Sequence, residues 1–511
     1  MLGWNKNKSD HPMADDKSAR EFLSELPVGD SFKLLEELSF WLDGTRAAEG
    51  LKPQRLFEII DQLDAAGKAD QRKLAQEYLS TGNRRQRFQE QRIWSTQVEF
   101  WRQLGAAYEF CLDKARSGVS GAGALKPLAP TLTCRAIRAL TLELKWLLIR
   151  YGPVDPTLWG RLGALYAQAE QAGFAAKPCT VYPGAHGEST VQREYLKALM
   201  LGMSATDCLL PRQLEVAERL VAQFAEHFVL QDRLGKGCHY HVDLAVARAP
   251  ARLVAQVNSA PTVRYFGPGT VSGVAQKLIA TIEGSGAYPS DLNLGGNYEP
   301  SLVVDVLHHL ARYWAPIPPT RSDERRRSIA RIHVGHDFDQ ILSLISGETT
   351  GMSTDNIETW TVENESDGGY GAVIAQSKGD WLKIGTLLAM KREDGAAWGV
   401  GIVRRLTGSG QQPYVGIQTL AKGGTRVKLF PAGAANADVS TGEDAVLLPS
   451  SRAQSTGTGE LSLLMRMGSF SPRQSLQMRA YEREYLLVPK ELLEGGEDFD
   501  MAAFRVMQRT G

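Results

Sequence analysis

The period of the apolar residues changes part-way along this chain, and that change restricts its fold more than any other feature. Up to about residue 230, apolar side chains recur at steps of three and four, as in FKLLEELSFWL over residues 32–42, which predicts amphipathic helices. After residue 325 they come in short runs separated by Gly, Asp and Ser. Six such runs in roughly 95 residues predict a small antiparallel β-barrel. The runs are RIHVG, IETWTVEN, YGAVIA, TLLAMKR, WGVGIVRRL and YVGIQTL.

The length of the chain and a Pro-rich stretch indicate several domains. At 511 residues it is too long for a single core. The Pro-rich stretch APIPPTRSDE, at residues 315–324, marks the clearest boundary. The predicted fold class is therefore multidomain α+β. Its four parts are a helical domain at 1–235, a mixed α/β segment at 236–318, a six-stranded antiparallel barrel at 319–425, and a β-rich extension with an acidic tail, ELLEGGEDFD, at 426–511.

Two short sequences in the helical part are alike. WRQLGAAY begins at Trp101 and WGRLGALY at Trp159, and both follow W-x2-L-G-x2-Y. This pattern resembles the first helix of a tetratricopeptide repeat, where a small Gly lets a second helix approach. The copies are 58 residues apart, not the repeat length of 34, so a repeat-like array and a bundle with aromatic core residues both stay open. Helices are predicted at 53–80, 84–116, 131–151, 156–172, 189–203 and 211–230.

The charge balance excludes a general affinity for polyanions. Lys plus Arg and Asp plus Glu number 58 each, so the net charge attracts neither a nucleic acid polymer nor an anionic membrane, and any anion site must be local. The five cysteines are widely spaced, without a C-x2-C pair, which argues against a disulfide framework or a structural zinc site. The N-terminus is polar and no apolar run reaches spanning length, so we expect a cytoplasmic protein without a membrane span.

An arginine-rich segment and a glycine-rich segment follow each other around the predicted barrel. RSDERRRSIARIHV contains Arg327-x3-Arg331, and 33 residues after Arg331 comes Asn364-x-Ser366-x2-Gly369. An R-x3-R motif followed by (D/N)-x-S-x2-G resembles the PilZ domain, a bacterial family of six-stranded barrels that bind the second messenger cyclic di-GMP. The resemblance covers about residues 320–425. It implies cyclic di-GMP as the ligand and these five residues as its binding residues, with Arg326 and Gly368 as further candidates.

The residue types fit such a ligand on chemical grounds. Cyclic di-GMP presents two phosphates and two guanine Hoogsteen edges, and the planar guanidinium of arginine pairs bidentately with either. The stretch ENESDGGYGAVI holds more small and polar residues than a hairpin turn needs. The surplus would let the backbone approach the bases while Asn364 and Ser366 supply hydrogen bonds.

A second arginine pair leaves open which of the two pairs binds the ligand. Arg321-x3-Arg325 lies just upstream of Arg327-x3-Arg331. We expect the downstream pair to contribute more, because Arg331 stands at the entrance of the strand RIHV, whereas Arg321 follows the prolines and loses more conformational entropy when ordered. The segment between the two motifs shows little strand alternation, and we expect an insertion there.

These observations favour a non-enzymatic receptor that binds cyclic di-GMP with its barrel and passes the signal to a protein partner through its helical region. The alternative is a protein-interaction scaffold with a degenerate barrel that binds no nucleotide. An enzyme would have to use residues 236–318, where no nucleophile–base pair or metal set is recognisable. His239 and His241 are read there as ordinary core or surface residues, and Gly267, Gly269 and Gly273 as a strand-to-helix connection.

Overall fold

The computed structural model divides the chain into two compact units, Met1–Pro319 and Thr320–Gly511. The division falls inside the Pro-rich stretch at 315–324. The structure describes residues 11–48, 50–80, 87–184, 187–253, 260–289, 292–319, 324–348, 357–375, 381–409, 412–432, 442–449, 459–480 and 483–508.

The first unit opens with eight helices that share one core. They are α1 Asp16–Glu25, α2 Ser31–Ala47, α3 Pro53–Ser80, α4 Arg87–Arg116, α5 Ala129–Ile149, α6 Pro156–Gln171, α7 Val191–Gly202 and α8 Pro211–Gln223. In α2, the Asp30 side chain caps the first turn by accepting a hydrogen bond from the Lys33 amide at 3.2 Å. Leu35, Leu38 and Leu42 of the same helix are fully buried, as the three- and four-residue spacing predicts.

The aromatic residues of the two W-x2-L-G-x2-Y sequences belong to this core. Trp101 and Tyr108 of α4 are buried, as are Trp159 and Tyr166 of α6. A Cβ at Gly105 would lie 2.9 Å from Leu140 of α5, so the glycine allows α4 and α5 to pack closely. The close approach has the physical basis that the pattern implies, while a tetratricopeptide-like repeat stays a prediction.

The rest of the first unit mixes strands and helices, as predicted for residues 236–318. A short pair, β1 Cys179–Thr180 and β2 Glu188–Ser189, precedes four further strands, β3 Val229–Gln231, β4 Tyr240–Asp243, β5 Ala251–Arg252 and β6 Val263–Gly267. These four strands form a sheet of order β3-β6-β4-β5, and the helices α9 Val271–Ser285 and α10 Pro300–Trp314 follow it. A Cβ at Gly267 would lie 2.2 Å from the Gly237 carbonyl oxygen, so this glycine serves close backbone packing.

The second unit begins with the predicted six-stranded antiparallel barrel. Its elements are β7 Arg326–His336, α11 Phe338–Ser346, β8 Glu358–Ser366, β9 Gly369–Val373, β10 Leu387–Arg392, β11 Gly399–Ser409 and β12 Gln412–Ala421. The strands close in the order β10-β11-β12-β9-β8-β7. Val334, Val362 and Val415 are fully or almost fully buried in its interior. Helix α11 lies between β7 and β8, where the sequence shows little strand alternation.

The predicted β-rich extension closes into a second six-stranded antiparallel barrel. Its strands are β13 Thr425–Pro431, β14 Glu443–Leu448, β15 Glu460–Arg466, β16 Leu476–Ala480, β17 Arg483–Gly495 and β18 Phe499–Gln508, in the order β13-β14-β15-β18-β17-β16. The acidic run ELLEGGEDFD is not a tail. It ends β17 and begins β18, because Leu492 and Glu494 pair with Ala502 and Met501 across this hairpin.

An apolar core joins the two barrels through α11. Its fully or largely buried members include Phe338 and Ile341 of α11, Leu387 and Val400 of the first barrel, and Val446, Leu464 and Phe499 of the second. This packing makes the barrels parts of one unit. Across the described ranges, none of the helices is both long and apolar enough to span a membrane.

Candidate ligand-binding face

One outer face of the first barrel brings the polar residues of both motifs together. Val362 of β8 and Val415 of β12 point into the barrel, so the residues next to them in the register face outward. Asn364 pairs with Gly371 of β9, and Gly371 pairs with Gly416 of β12. We call this surface the glycine face, and it consists of Asn364, Ser366, Gly369, Gly371, Tyr414, Gly416 and Gln418.

The glycines of this face let larger polar side chains lie flat against the sheet. A Cβ at Gly371 would lie 2.1 Å from Tyr414 Oη and 2.7 Å from Asn364 Oδ1. A Cβ at Gly369 would lie 2.0 Å from the Ile417 carbonyl oxygen. All three distances are far below van der Waals contact, so a side chain at either position would displace the polar layer or the backbone. The surplus of small residues in this hairpin therefore has a structural reason.

Three polar side chains form a hydrogen-bonded cluster over Gly371. Arg325 Nη1 donates to Asn364 Oδ1 at 2.6 Å and to Tyr414 Oη at 3.2 Å. Asn364 Nδ2 also donates to Tyr414 Oη, at 2.9 Å. Since Tyr414 Oη accepts both bonds, its own proton is available to a further acceptor. Among the described residues, Arg325 makes these bonds through Nη1, which leaves Nε and Nη2 as donors toward an anion.

The other predicted arginines lie along β7. Arg326 and Arg327 are exposed, and Arg327 pairs directly with Asn364 in the register. Arg331 is exposed and pairs with Thr361, further along β8. The register shifts between Arg327 and Ala330, so a β-bulge separates the two arginines. Arg321 lies outside the described residues. Which of the two arginine pairs binds the ligand stays a prediction.

The second motif forms the β8–β9 hairpin. Ser366 pairs with Gly369, and the two residues between them form the turn. The Thr419 amide donates to the Gly368 carbonyl at 2.9 Å and thereby ties the turn to β12. Ser366 and Gly369 thus stand at one end of the glycine face, next to Gln418, which pairs with Gly369.

Three polar residues of this region do not belong to either sequence motif. Tyr414 and Gln418 lie on β12, and Arg404 on β11 donates through Nε to Gln418 Oε1 at 2.7 Å. One signal was available, because Tyr414, Gly416 and Gln418 alternate with the buried Val415 and Ile417 in YVGIQ. A glycine between two outward polar residues in such an alternation indicates a surface that something approaches closely.

Several charges near the face are already paired within the barrel. Arg392 Nη1 donates to Glu365 Oε2 at 2.6 Å, and its Nε donates to Asp394 Oδ1 at 3.0 Å. The hydrogen bond from Arg392 holds the pKa of Asp394 below its usual range, so this carboxylate stays ionised. Burial raises the pKa of Tyr370, which keeps its hydroxyl neutral. Arg392 therefore offsets part of the negative charge of Glu365 and Asp394, which lowers their repulsion of an anionic ligand.

One comparison with known proteins gives a match. Residues 17–234 match the family model described as "Cyclic-di-GMP receptor FimW, N-terminal domain". The matched stretch covers α1 from its second residue to α8 and the short strands β1, β2 and β3, a little under half of the chain, and it ends before both barrels. No curated protein matches the chain.

Proposed function

We propose that this chain is a non-enzymatic, cytoplasmic receptor for cyclic di-GMP, which binds to the glycine face of its first barrel. The observation that carries the proposal is the cluster of Arg325, Asn364 and Tyr414 over Gly371. It unites the arginine segment with the second motif on one face and leaves donors on Arg325 and Tyr414 for an anion. The similarity of residues 17–234 to a domain of a cyclic di-GMP receptor, found in a separate part of the chain, supports the same ligand.

Each group of candidate residues suits a different part of the ligand. Arg327 and Arg331, with Arg326, supply exposed guanidinium groups for phosphate oxygens or guanine O6 and N7. Asn364 and Ser366 provide neutral hydrogen bonds. Gly369, with Gly368 in the turn, keeps the hairpin free of side chains where the ligand approaches.

The proposal extends to the transmission of the signal. Arg325 and its neighbours lie only a few residues after Pro319, the last residue of the first unit. A ligand held by these arginines binds close in sequence to the boundary between the two units, and it can transmit a signal if it binds two conformations of the chain with different affinity. We propose that the helical unit passes this change to a protein partner.

Calorimetric titration of the full chain with cyclic di-GMP tests the ligand, with cyclic di-AMP and GMP as controls for the guanine edges and the second phosphate. Saturable binding of cyclic di-GMP alone is the expected result. No binding would favour the alternative function, an interaction scaffold with a degenerate barrel.

A series of arginine variants tests the register. A bidentate arginine contact contributes about 1–3 kcal/mol, so Arg327→Ala and Arg331→Ala should each weaken binding about tenfold or more. Arg321→Ala should change the affinity by about threefold at most, because a residue that follows the prolines loses more conformational entropy when it contacts the ligand. We expect the loss of affinity in Arg325→Ala to lie between these two values, because Arg325 contacts Asn364. A loss at Arg321 that equals or exceeds the loss at Arg331 would overturn the chosen register.

A further inference from the structure

A bulge in β11 places Arg404 at the edge of the glycine face opposite to β7. The glycine face lies on β8, β9 and β12; β7 borders it beside β8, and β11 borders it beside β12. The register of β11 against β12 shifts between Val403 and Arg405, and Arg404 is the extra residue. Its Nε donates to Gln418 Oε1 at 2.7 Å, so the guanidinium reaches the glycine face. Bulges commonly redirect a side chain in this way.

The same guanidinium also contacts the second barrel. Arg404 Nη1 and Nη2 both donate to the carboxylate of Glu494 on β17, with Nη2 2.6 Å from Oε2. Glu494 follows a bulge of its own strand and pairs with Met501. The Met501 side chain packs against the core between the barrels. One arginine therefore connects the glycine face to the rim of the inter-barrel core.

The position of Arg404 suits an anionic ligand that crosses the face. Because the barrel is closed, β11 and β7 are separated only by β10 on its other side, so the contact with Gln418 is what places Arg404 on the glycine face. Gln418 lies on the same strand as Tyr414 and Gly416, beside the cluster over Gly371. Cyclic di-GMP has phosphates on both sides of its ring and a guanine at each end. A ligand of this kind lying over Gly371 and Gly416 can meet Arg325 beside Asn364 and Arg404 beside Gln418.

We propose that Arg404 binds the nucleotide and that Glu494 competes with the nucleotide for it. The proposal rests on the proposed function. A guanidinium edge that is engaged by a carboxylate cannot pair at the same time with two acceptor atoms of a phosphate or a guanine. Binding therefore exchanges the carboxylate for the ligand and releases Glu494 to solvent. The exchange loosens the contact between the barrels at β17, which makes the second barrel responsive to the nucleotide.

Calorimetric titration of four full-length variants tests the competition. Arg404→Gln should weaken binding of cyclic di-GMP about five- to tenfold, since one bidentate contact is lost. Glu494→Gln should strengthen binding about threefold, because the competing charge is removed while the shape is kept. In the double variant R404Q/E494Q the affinity should equal that of Arg404→Gln alone, because Glu494 acts only through Arg404.

Glu460→Gln is the matched control. Glu460 forms an ion pair with Lys490 of β17 at 3.1 Å in the same barrel, and its side chain is more exposed, at 45%, than that of Glu494, at 23%. This variant should bind the nucleotide like the unaltered chain. If Glu494→Gln also bound like the unaltered chain, the ion pair would be only a structural link between the barrels and the proposal would be wrong.

Hydrogen exchange gives a readout that a purely structural ion pair would not move. Saturating cyclic di-GMP should speed amide exchange in residues 489–495 of the unaltered chain and leave it unchanged in Arg404→Gln. Equal protection with and without nucleotide would overturn the proposal. The failures are distinguishable: no binding by the unaltered chain overturns the proposed receptor function together with this inference, whereas binding with identical affinities in all variants overturns this inference alone.

Discussion

The two barrels of the second unit have the same strand connectivity but differ in the chemistry of one face. In each barrel the first strand pairs with the second and the fourth, and the sixth strand lies between the third and the fifth. The outer face of the second, third and sixth strands differs between them. It carries Asn364, Gly371 and Gly416 in the first barrel and Val446, Leu464 and Met501 in the second.

This difference decides what each face contacts. The apolar face of the second barrel packs against α11 and the first barrel, where Val446 and Leu464 are fully buried. The glycine face carries hydrogen-bonding groups that an apolar contact would leave unsatisfied. Connectivity thus gives two similar scaffolds, and the outward residues make one face polar and the other apolar. We therefore expect nucleotide to bind on the first barrel and not on the equivalent face of the second.

The largest effect on stability is expected from truncating a buried side chain in the core between the barrels. Phe499 is fully buried in the inter-barrel core, so Phe499→Ala should lower the free energy of unfolding of the second barrel by about 3–5 kcal/mol. Hydrogen exchange of its peptides in increasing urea measures this loss. Met507→Ala, at a side chain that is 53% exposed, is the control and should change the value by about 0.5 kcal/mol or less. Similarly small losses of unfolding free energy in both variants would show that the apolar core between the barrels does not stabilise the second barrel.

The next effect concerns the glycine face itself. A Cβ at Gly371 would collide with Tyr414 Oη, the end of a side chain that can move, so Gly371→Ala should fold and yet disrupt the polar cluster. We expect about a tenfold loss of affinity for cyclic di-GMP, equivalent to about 1.4 kcal/mol. Gly423→Ala is the matched control, because a Cβ there meets nothing within 4 Å. Equal affinities for the two variants would show that the cluster over Gly371 does not take part in binding.

The smallest effect compares one serine on each barrel. Ser366 lies on the glycine face, while Ser462 of β15 lies on the equivalent face of the second barrel, paired with Leu448 and Ala503. Ser366→Ala should weaken nucleotide binding by about 0.5–1.5 kcal/mol, the contribution of one neutral hydrogen bond. Ser462→Ala should leave the titration unchanged. A loss at Ser462 as large as the loss at Ser366 would mean that the second barrel also binds nucleotide.

Local patterns predicted the individual elements well. The helix expected at 53–80 is α3, and the one expected at 156–172 ends one residue earlier, as α6. Both carry strong three- and four-residue periods, which depend only on near neighbours. The closure of the second barrel was not predicted. Its strands read as continuous apolar runs, such as AVLLP, because they are buried inside the barrel and also against the first barrel, which removes the alternation of a half-buried strand.

The candidate site was predictable only where it lies in short motifs. Arg327, Asn364, Ser366 and Gly369 stand out by spacing, but Tyr414 follows Asn364 by 50 residues and reaches it only through the β9–β12 pairing. The cysteines show the same limit in the first unit. Cys134 and Cys179 are distant in sequence, yet their Sγ atoms lie 3.6 Å apart as free thiols.

By itself the sequence determined the helical first half, the change to strands, the first barrel and the arginine and glycine motifs, because each depends on residues close together in the chain. Tertiary structure alone decided that Tyr414 joins the cluster, that Arg404 meets Glu494, and that the second barrel repeats the connectivity of the first. Those contacts join strands separated by tens of residues. Their register is set by the packing of whole faces, a property that no short stretch of sequence contains.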